Sequence, residues 1–486
     1  MEFNITLTSK KGLCMYFCFN SISMKHIIQS FILIIIISCS TINKEQNLTY
    51  FGGEIINPKD KFVLLLKDDT IIDTLQLNSQ NRFIAQYENF SEGLYTFKHG
   101  IEFQYIYIQP LDSVLVRLNT WDFDESIVFS GKGGSKNEFL INLFLQNEKE
   151  DMAMYQYFSL NEINFSAKID SLMQERNSIY NEFSKAEENI SAGFEKLTNS
   201  AIHYPLYRLK EIYPYYYKKA HNLKEFPIVN NDFYNFRNDV NLNEADLVSF
   251  YPYQNYVVSY LYNLSYQLIE KDSTKNNLTI NILNSIVDNI KLEEFKNTLL
   301  KRIVVNDFLK SESSCTIHEP TLNLFLSHCT NNEYVNQVKC LVNDSKSIEN
   351  EKPLLSFNIQ SSEAEIQDIN EIIKNKNTVI YFWSTEFMST EYLVNRIKYL
   401  KNQYPSILFI GVNIQSSFNE IKTEPHLKKL EIQQQFKLTK DSAAHSFLTS
   451  NYPRVILVNN QGIVKNGFTY LDSKKLNAEL KKIEIN

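Results

Sequence analysis

Six cysteines carry most of the reactive chemistry open to this 486-residue chain. Cys14, Cys18 and Cys39 lie near the start, Cys315, Cys329 and Cys340 in the middle, and none follows Cys340. The stretch "CTIHEPTLNLFLSHC" holds Cys315, His318, His328 and Cys329, donor types that zinc accepts. The C-x-x-H half has the spacing of a ligand pair. His328 and Cys329, however, are neighbours, and adjacent side chains on a helix point about 100° apart, away from a common ion. No metal is expected. A Cys315–Cys329 disulfide and unlinked buried thiols both remain open. Glu386 and Glu391 are an acid/base pair by type, but they straddle a helix start, where the helix dipole favours acids in any case. The P-loop, G-x-S-x-G and H-E-x-x-H patterns are missing, His426 and His445 are isolated, and no cofactor is expected.

Tyrosine supplies the other conspicuous chemistry. "YPYYYKK" from Tyr213 and "YPYQNYVVSYLYNLSY" from Tyr251 stand out even in a chain with 29 Tyr and 33 Phe. Exposed rings stack on sugars or peptides, whereas rings at helical spacing pack a core with their hydroxyls at the rim.

The elements that must position these residues follow from composition and periodicity. At 43% hydrophobic and 22% charged residues, the chain is ordinary for a folded body of several domains. Its net charge of −7, with Lys and Asp/Glu interleaved, excludes the basic stripe that nucleic-acid binding requires. Seven of the twelve glycines fall between Gly52 and Gly134, and only Gly193 lies between there and Gly411. This distribution divides the chain into β-rich, helical and mixed parts. Residues 48–134 alternate in the strand manner and predict a small antiparallel sandwich or barrel. Residues 135–344 read as all-α: Phe165, Ile169, Leu172, Arg176, Ile179 and Phe183 share one helix face, and Pro205, Pro214, Pro227 and Pro252 punctuate the helices. After a linker at 345–353, residues 354–486 read as α/β, with "TVIYFW" and "SILFIGVNI" as buried strands joined by a helix and "YPRVILVNNQGIV" as a terminal hairpin.

The N-terminus has its own pattern. "MKHIIQSFILIIIISCS", Met24 to Ser40, runs from a basic start through an apolar stretch to Ser38-Cys39, the layout of a secretory signal peptide. Ile36-Ile37-Ser38-Cys39 resembles a bacterial lipobox. The resemblance implies that residues 1–38 are a mis-called extension plus signal peptide with the true start at Met24. It further implies lipid attachment at Cys39, a tether over 39–47, and a protein held in the cell envelope, at the outer membrane facing the periplasm. More than one acyl chain gives lasting anchorage.

Two further resemblances bear on fold and function. The phrases "GGEIINP", "GLYTF", "YIYIQPLDSVLV" and "FSGKGGSKNEF" are similar to the small β domain that precedes the thioredoxin domain in many Bacteroidota lipoproteins. Residues 352–486 resemble the TlpA-like thioredoxin family, which reads strand, W-x-x-W-C-x-x-C, helix, strand, cis-proline loop, hairpin and helix. Trp383 matches the first Trp, Tyr452-Pro453 the cis-proline position, and "PRVILVNNQGIVKNG" the hairpin. Phe387 and Thr390 stand where the two cysteines belong. Thiol-disulfide exchange needs a thiolate and a resolving thiol. Phe387 has no nucleophile, and the Thr390 hydroxyl is too weak without an activating base. The resemblance therefore implies a thioredoxin-like domain without dithiol chemistry, with Trp383, Phe387, Met388, Tyr452, Pro453 and Arg454 lining a groove for a peptide or protein partner. Two alternatives stand beside it: an envelope oxidoreductase using the middle cysteines, and a carbohydrate-binding lipoprotein using the tyrosine-rich helices.

Overall fold

The computed structural model describes residues 48–485 apart from 69, 273, 275, 276, 311–317, 385–387, 415–426 and 451–452. Cys39, Cys315, Phe387 and Tyr452 therefore lie outside the described residues. The chain forms a β region, a helical region and a C-terminal α/β region in that order.

The β region holds two four-stranded sheets. One has the order β4-β1-β7-β8, built from β1 (Leu48–Ile56), β4 (Arg82–Glu88), β7 (Ser113–Asn119) and β8 (Val128–Ser130). The other has the order β3-β2-β5-β6, built from β2 (Phe62–Lys67), β3 (Thr70–Gln76), β5 (Gly93–His99) and β6 (Glu102–Ile108). Neither sheet closes on itself. The purely antiparallel expectation is corrected, because β1 pairs parallel with β7, from Tyr50 opposite Ser113 to Ile56 opposite Asn119. Period-2 alternation fixes which face of a strand is buried and says nothing about the direction of its neighbour. Phe51 and Ile55 of β1, Val63 and Leu65 of β2, Phe97 of β5 and Val114 of β7 meet in one core. Gly53 has no Cβ because Val116 O of β7 lies where one would stand.

The helical region seals the edge strand β6. Asn137, on α1 (Gly134–Met154), is buried. Its amide donates to Tyr107 O at 2.8 Å, and its Oδ1 accepts from Tyr107 N at 2.7 Å. One side chain thus supplies the bonds a neighbouring strand would make, and blunts an edge that would otherwise recruit another chain. The helices α2 (Glu162–Ala186), α3 (Ala192–Ala220), α4 (Tyr251–Lys271), α5 (Leu278–Asn289), α6 (Glu293–Lys310), α7 (Glu319–His328) and α8 (Asn332–Ser347) follow. Asn161 and Ser191 cap α2 and α3 by accepting from the backbone N–H three residues on. On α2 the buried stripe is Phe165, Ile169, Leu172, Arg176 and Tyr180, while Ile179 points outward at 45% exposure. The expected stripe strayed at that step of three.

The prolines require a larger correction. Pro205 and Pro214 lie inside α3, a single helix of 29 residues, and of the four expected punctuating prolines only Pro252 marks a helix start. Each internal proline removes one ladder bond. Packing along α4 outweighs that loss: Tyr204 of α3 meets Tyr253 and Tyr256 of α4 at 5.2 Å. The buried Arg176 guanidinium also donates to Ile202 O, in the turn that Pro205 disturbs, and pairs with Glu150.

The C-terminal sheet has seven strands in the order β10-β9-β13-β12-β11-β14-β15. These are β9 (Asn358–Gln360), β10 (Ile366–Asp368), β11 (Thr378–Trp383), β12 (Leu408–Asn413), β13 (Gln435–Leu438), β14 (Arg454–Val458) and β15 (Val464–Thr469). β11 and β12 are parallel and joined through α10 (Thr390–Gln403). β14 runs antiparallel to β11 and forms a hairpin with β15, and α11 (Leu476–Ile485) ends the chain. Val379, Tyr381 and Trp383 pack under α10 and α11, while Ile380 and Phe382 face α9 (Ile369–Ile373), Phe357 and Phe447. The expected order of strand, helix, strand, terminal hairpin and helix is thus present. The stretch "EAEIQDINEIIKNKN" forms a short strand, β10, followed by the single-turn α9. Among the described residues, no helix is long and apolar enough to cross a membrane.

Candidate functional site

The candidate site lies where β11 ends, α10 begins and the chain approaches β14. Six apolar or aromatic-rich positions, Thr378 to Trp383, are all buried, which fixes β11 as a central strand. Burial also pushes the Tyr381 phenol well above its usual range, and that hydroxyl accepts from Gln435 Nε2 at 2.8 Å. At the end of the strand, Trp383 is only 1% exposed, and its indole N–H has no hydrogen-bond partner among the described residues. Met388 packs against the same core from a half-buried position.

The start of α10 is a capped helix terminus without a thiol. Ser389 is the N-cap, its hydroxyl accepting from Tyr392 N at 3.2 Å. Thr390 is the first helical residue and Glu391 sits in the first turn, where it complements the helix dipole. A cysteine in this position would have its thiolate stabilised by the same terminus.

On the opposite side of the site, Pro453 is half-buried and directly precedes β14. The loop leading to it is held by a residue that sequence reasoning missed. Asp344, fully buried near the end of α8, has one carboxylate oxygen accepting from Thr449 N (2.9 Å) and Thr449 Oγ1 (2.6 Å). Its other oxygen accepts from Ser450 N (2.9 Å) and Ser450 Oγ (2.6 Å). An aspartate in "VNDSK" looks like any solvated helix-end acid, and nothing local marks it as a clamp.

Arg454 is the clear correction among the expected groove residues. It is 1% exposed, and its guanidinium donates to Phe447 O (2.7 Å), Gly467 O (2.9 Å) and Asp344 O (3.3 Å). Its plane also lies over Phe468 at 4.7 Å. A side chain that satisfies three carbonyls at the junction of the helical and α/β regions is a structural pin and does not face a groove. Of the six expected groove residues, Trp383 and Arg454 are buried, Met388 and Pro453 are partly accessible, and Phe387 and Tyr452 lie outside the described residues. Of the middle cysteines, Cys329 and Cys340 are free among the described residues, and burial raises the Cys329 thiol above its ordinary pKa. The expected Cys315–Cys329 pairing involves a residue outside those described.

No protein-family model matches the sequence, and no curated protein matches it. Solved structures do show similarity, confined to part of the chain. The thioredoxin domain of a thiol-disulfide oxidoreductase from Bacteroides vulgatus is 19% identical, covering 28% of this chain and 97% of that one, with a TM-score of 0.23. A thiol:disulfide interchange protein from Bacteroides sp. is also 19% identical, covering 29% and 93%, with a TM-score of 0.23. A thioredoxin-like protein from Bacteroides caccae is 8% identical, covering 44% and 84%, with a TM-score of 0.27.

Proposed function

We propose that the C-terminal region is a redox-inactive thioredoxin-like module that binds a peptide segment or partner protein, and that lipid on Cys39 holds the chain in the bacterial cell envelope, at the outer membrane facing the periplasm. The observation that carries the redox part is the thiol-free helix start: Ser389 and Thr390 open α10, Phe387 and Thr390 replace the two expected cysteines, and no cysteine follows Cys340. Dithiol exchange requires two sulfurs at that terminus. Binding requires only the accessible surface beside Met388 and Pro453, and fold and activity are separable. For the runner-up, an oxidoreductase using the middle cysteines, Cys329 is a poor candidate nucleophile because it is buried with a raised pKa, the reverse of what a nucleophilic thiol needs.

Insulin-disulfide reduction by the purified full-length chain tests the redox part. No turnover is expected, and turnover abolished by Cys329→Ser or Cys340→Ser would establish the runner-up instead. Metabolic labelling with radioactive palmitate tests the anchor: the label should appear in the wild type and vanish in Cys39→Ala.

A further inference from the structure

The two tyrosine-rich stretches are far apart in sequence and line one cleft. Pro214, Tyr215 and Tyr216 of α3, Tyr262 and Tyr266 of α4, and Phe226 line a cavity of about 220 Å³. Tyr266 is the centre of the aromatic wall. Its ring stacks with Tyr215 at 5.8 Å (28° between planes) and lies tilted against Phe226 at 5.0 Å (36°), so the three rings form one aromatic cluster in the cleft wall.

The polar groups of the cleft constrain what fits. Glu211 is the one charged residue in the lining. Its carboxylate is already paired with both Arg237 Nε (2.8 Å) and Nη2 (2.5 Å) and accepts from Asn263 Nδ2 at 2.7 Å. With that charge neutralised, the lining offers no attraction to an ionic ligand. Among the described residues, the Tyr262 and Tyr266 hydroxyls have no hydrogen-bond partner, although burial raises the pKa of both. Both hydroxyls are thus left to a ligand or to water. The volume is below the roughly 300–1,000 Å³ of sites for drug-sized molecules, so it takes one ring.

We propose that this cleft between α3 and α4 binds a single neutral pyranose ring. The C–H face of the sugar stacks on the half-exposed Tyr215 ring, which Tyr266 supports from its stacked side, and its hydroxyl rim engages the Tyr262 and Tyr266 hydroxyls. An aromatic side chain would match the ring but bring at most one polar group for two unpaired phenols. The inference is independent of the reading of the C-terminal region.

Saturation-transfer NMR on the full-length chain tests it, with the methyl α- and β-glycosides of glucose, galactose, mannose and N-acetylglucosamine as probes and N-acetyl-L-tyrosinamide as competitor. At least one glycoside should bind, with transfer strongest at the protons of one ring face. Tyr215 is 44% exposed, so Tyr215→Ala spares the core, and loss of its stacking should weaken binding about tenfold. Tyr266→Phe keeps the ring and removes the hydroxyl, and should weaken binding about fivefold. Absence of transfer from every glycoside to the folded wild type overturns the proposal. So does binding indifferent to both substitutions, or displacement by the tyrosinamide at lower concentration than the sugar.

Discussion

Replacing Asp344 with alanine tests whether the helical region organises the loop that presents Pro453. The carboxylate accepts four hydrogen bonds, two from backbone N–H groups and two from hydroxyls. The hydroxyls can rotate toward water, because Thr449 is exposed. The N–H groups cannot, and net hydrogen bonds to a charged acceptor are worth about 1.5–3 kcal/mol each. Partial wetting of the loop places the loss near the lower end, about 3 kcal/mol for the pair. Arg454 still donates to the backbone carbonyl of residue 344, so α8 stays in place and the damage is local. A local opening made easier by about 3 kcal/mol speeds amide hydrogen exchange about a hundredfold. Exchange measured by NMR or mass spectrometry on the folded full-length variant should show that acceleration at Thr449 and Ser450, with α10 and β11 unchanged. Equal protection in wild type and variant would refute the reasoning that a buried helix-end carboxylate holds this loop.

Three further outcomes are expected. Gly53→Ala places a Cβ 2.0 Å from Val116 O of the parallel partner strand, and backbone cannot step aside cheaply, so urea unfolding should report a loss of about 1–3 kcal/mol. His99 is buried; its Nε2 accepts from Lys59 N at 2.9 Å and its Nδ1 donates to Phe62 O at 2.9 Å, which requires the neutral ring. Burial lowers its pKa against the opposing influence of the Phe62 carbonyl and Asp60. The unfolded chain therefore binds the proton more readily, and the stabilisation is present above about pH 6.5 and is lost as pH falls through the depressed folded value. The melting temperature should drop across that range in the wild type, and less so in His99→Gln. Arg237→Met leaves the fully buried Glu211 side chain without its cation and should cost about 3–5 kcal/mol by denaturant titration.

Strong local patterns were legible in the sequence, and contacts between distant segments were not. The run "TVIYFW" could only be a buried strand, and it is. "YPRVILVNNQGIV" read as a hairpin, and Gly462 adopts a φ of +76° at its turn. The missing thiols at the start of α10 were visible as soon as the strand and helix were placed. β13 escaped notice because four residues carry too little periodicity. Arg454 was misassigned because its three acceptors come from α8, the loop before Pro453 and β15, a set no local spacing reveals. The internal prolines of α3 were read by propensity, which tertiary packing overrode. The tyrosines were recognised as notable, but that Tyr215 and Tyr266 stack on each other emerged only from the pairing of α3 with α4.

The parallel pairing of β1 also has a mechanical consequence. Any tension transmitted through the chain preceding Leu48 enters a strand bonded on both sides, to β4 and to β7. Pulling along β1 loads two ladders of hydrogen bonds in shear, so many bonds must fail together, unlike an edge strand peeled away one bond at a time. Assembly carries the corresponding constraint: β1 cannot take its place beside β7 until the segment ending at Asn119 has emerged, so a chain delivered from its N-terminus must hold its first strand unpaired on that side until then.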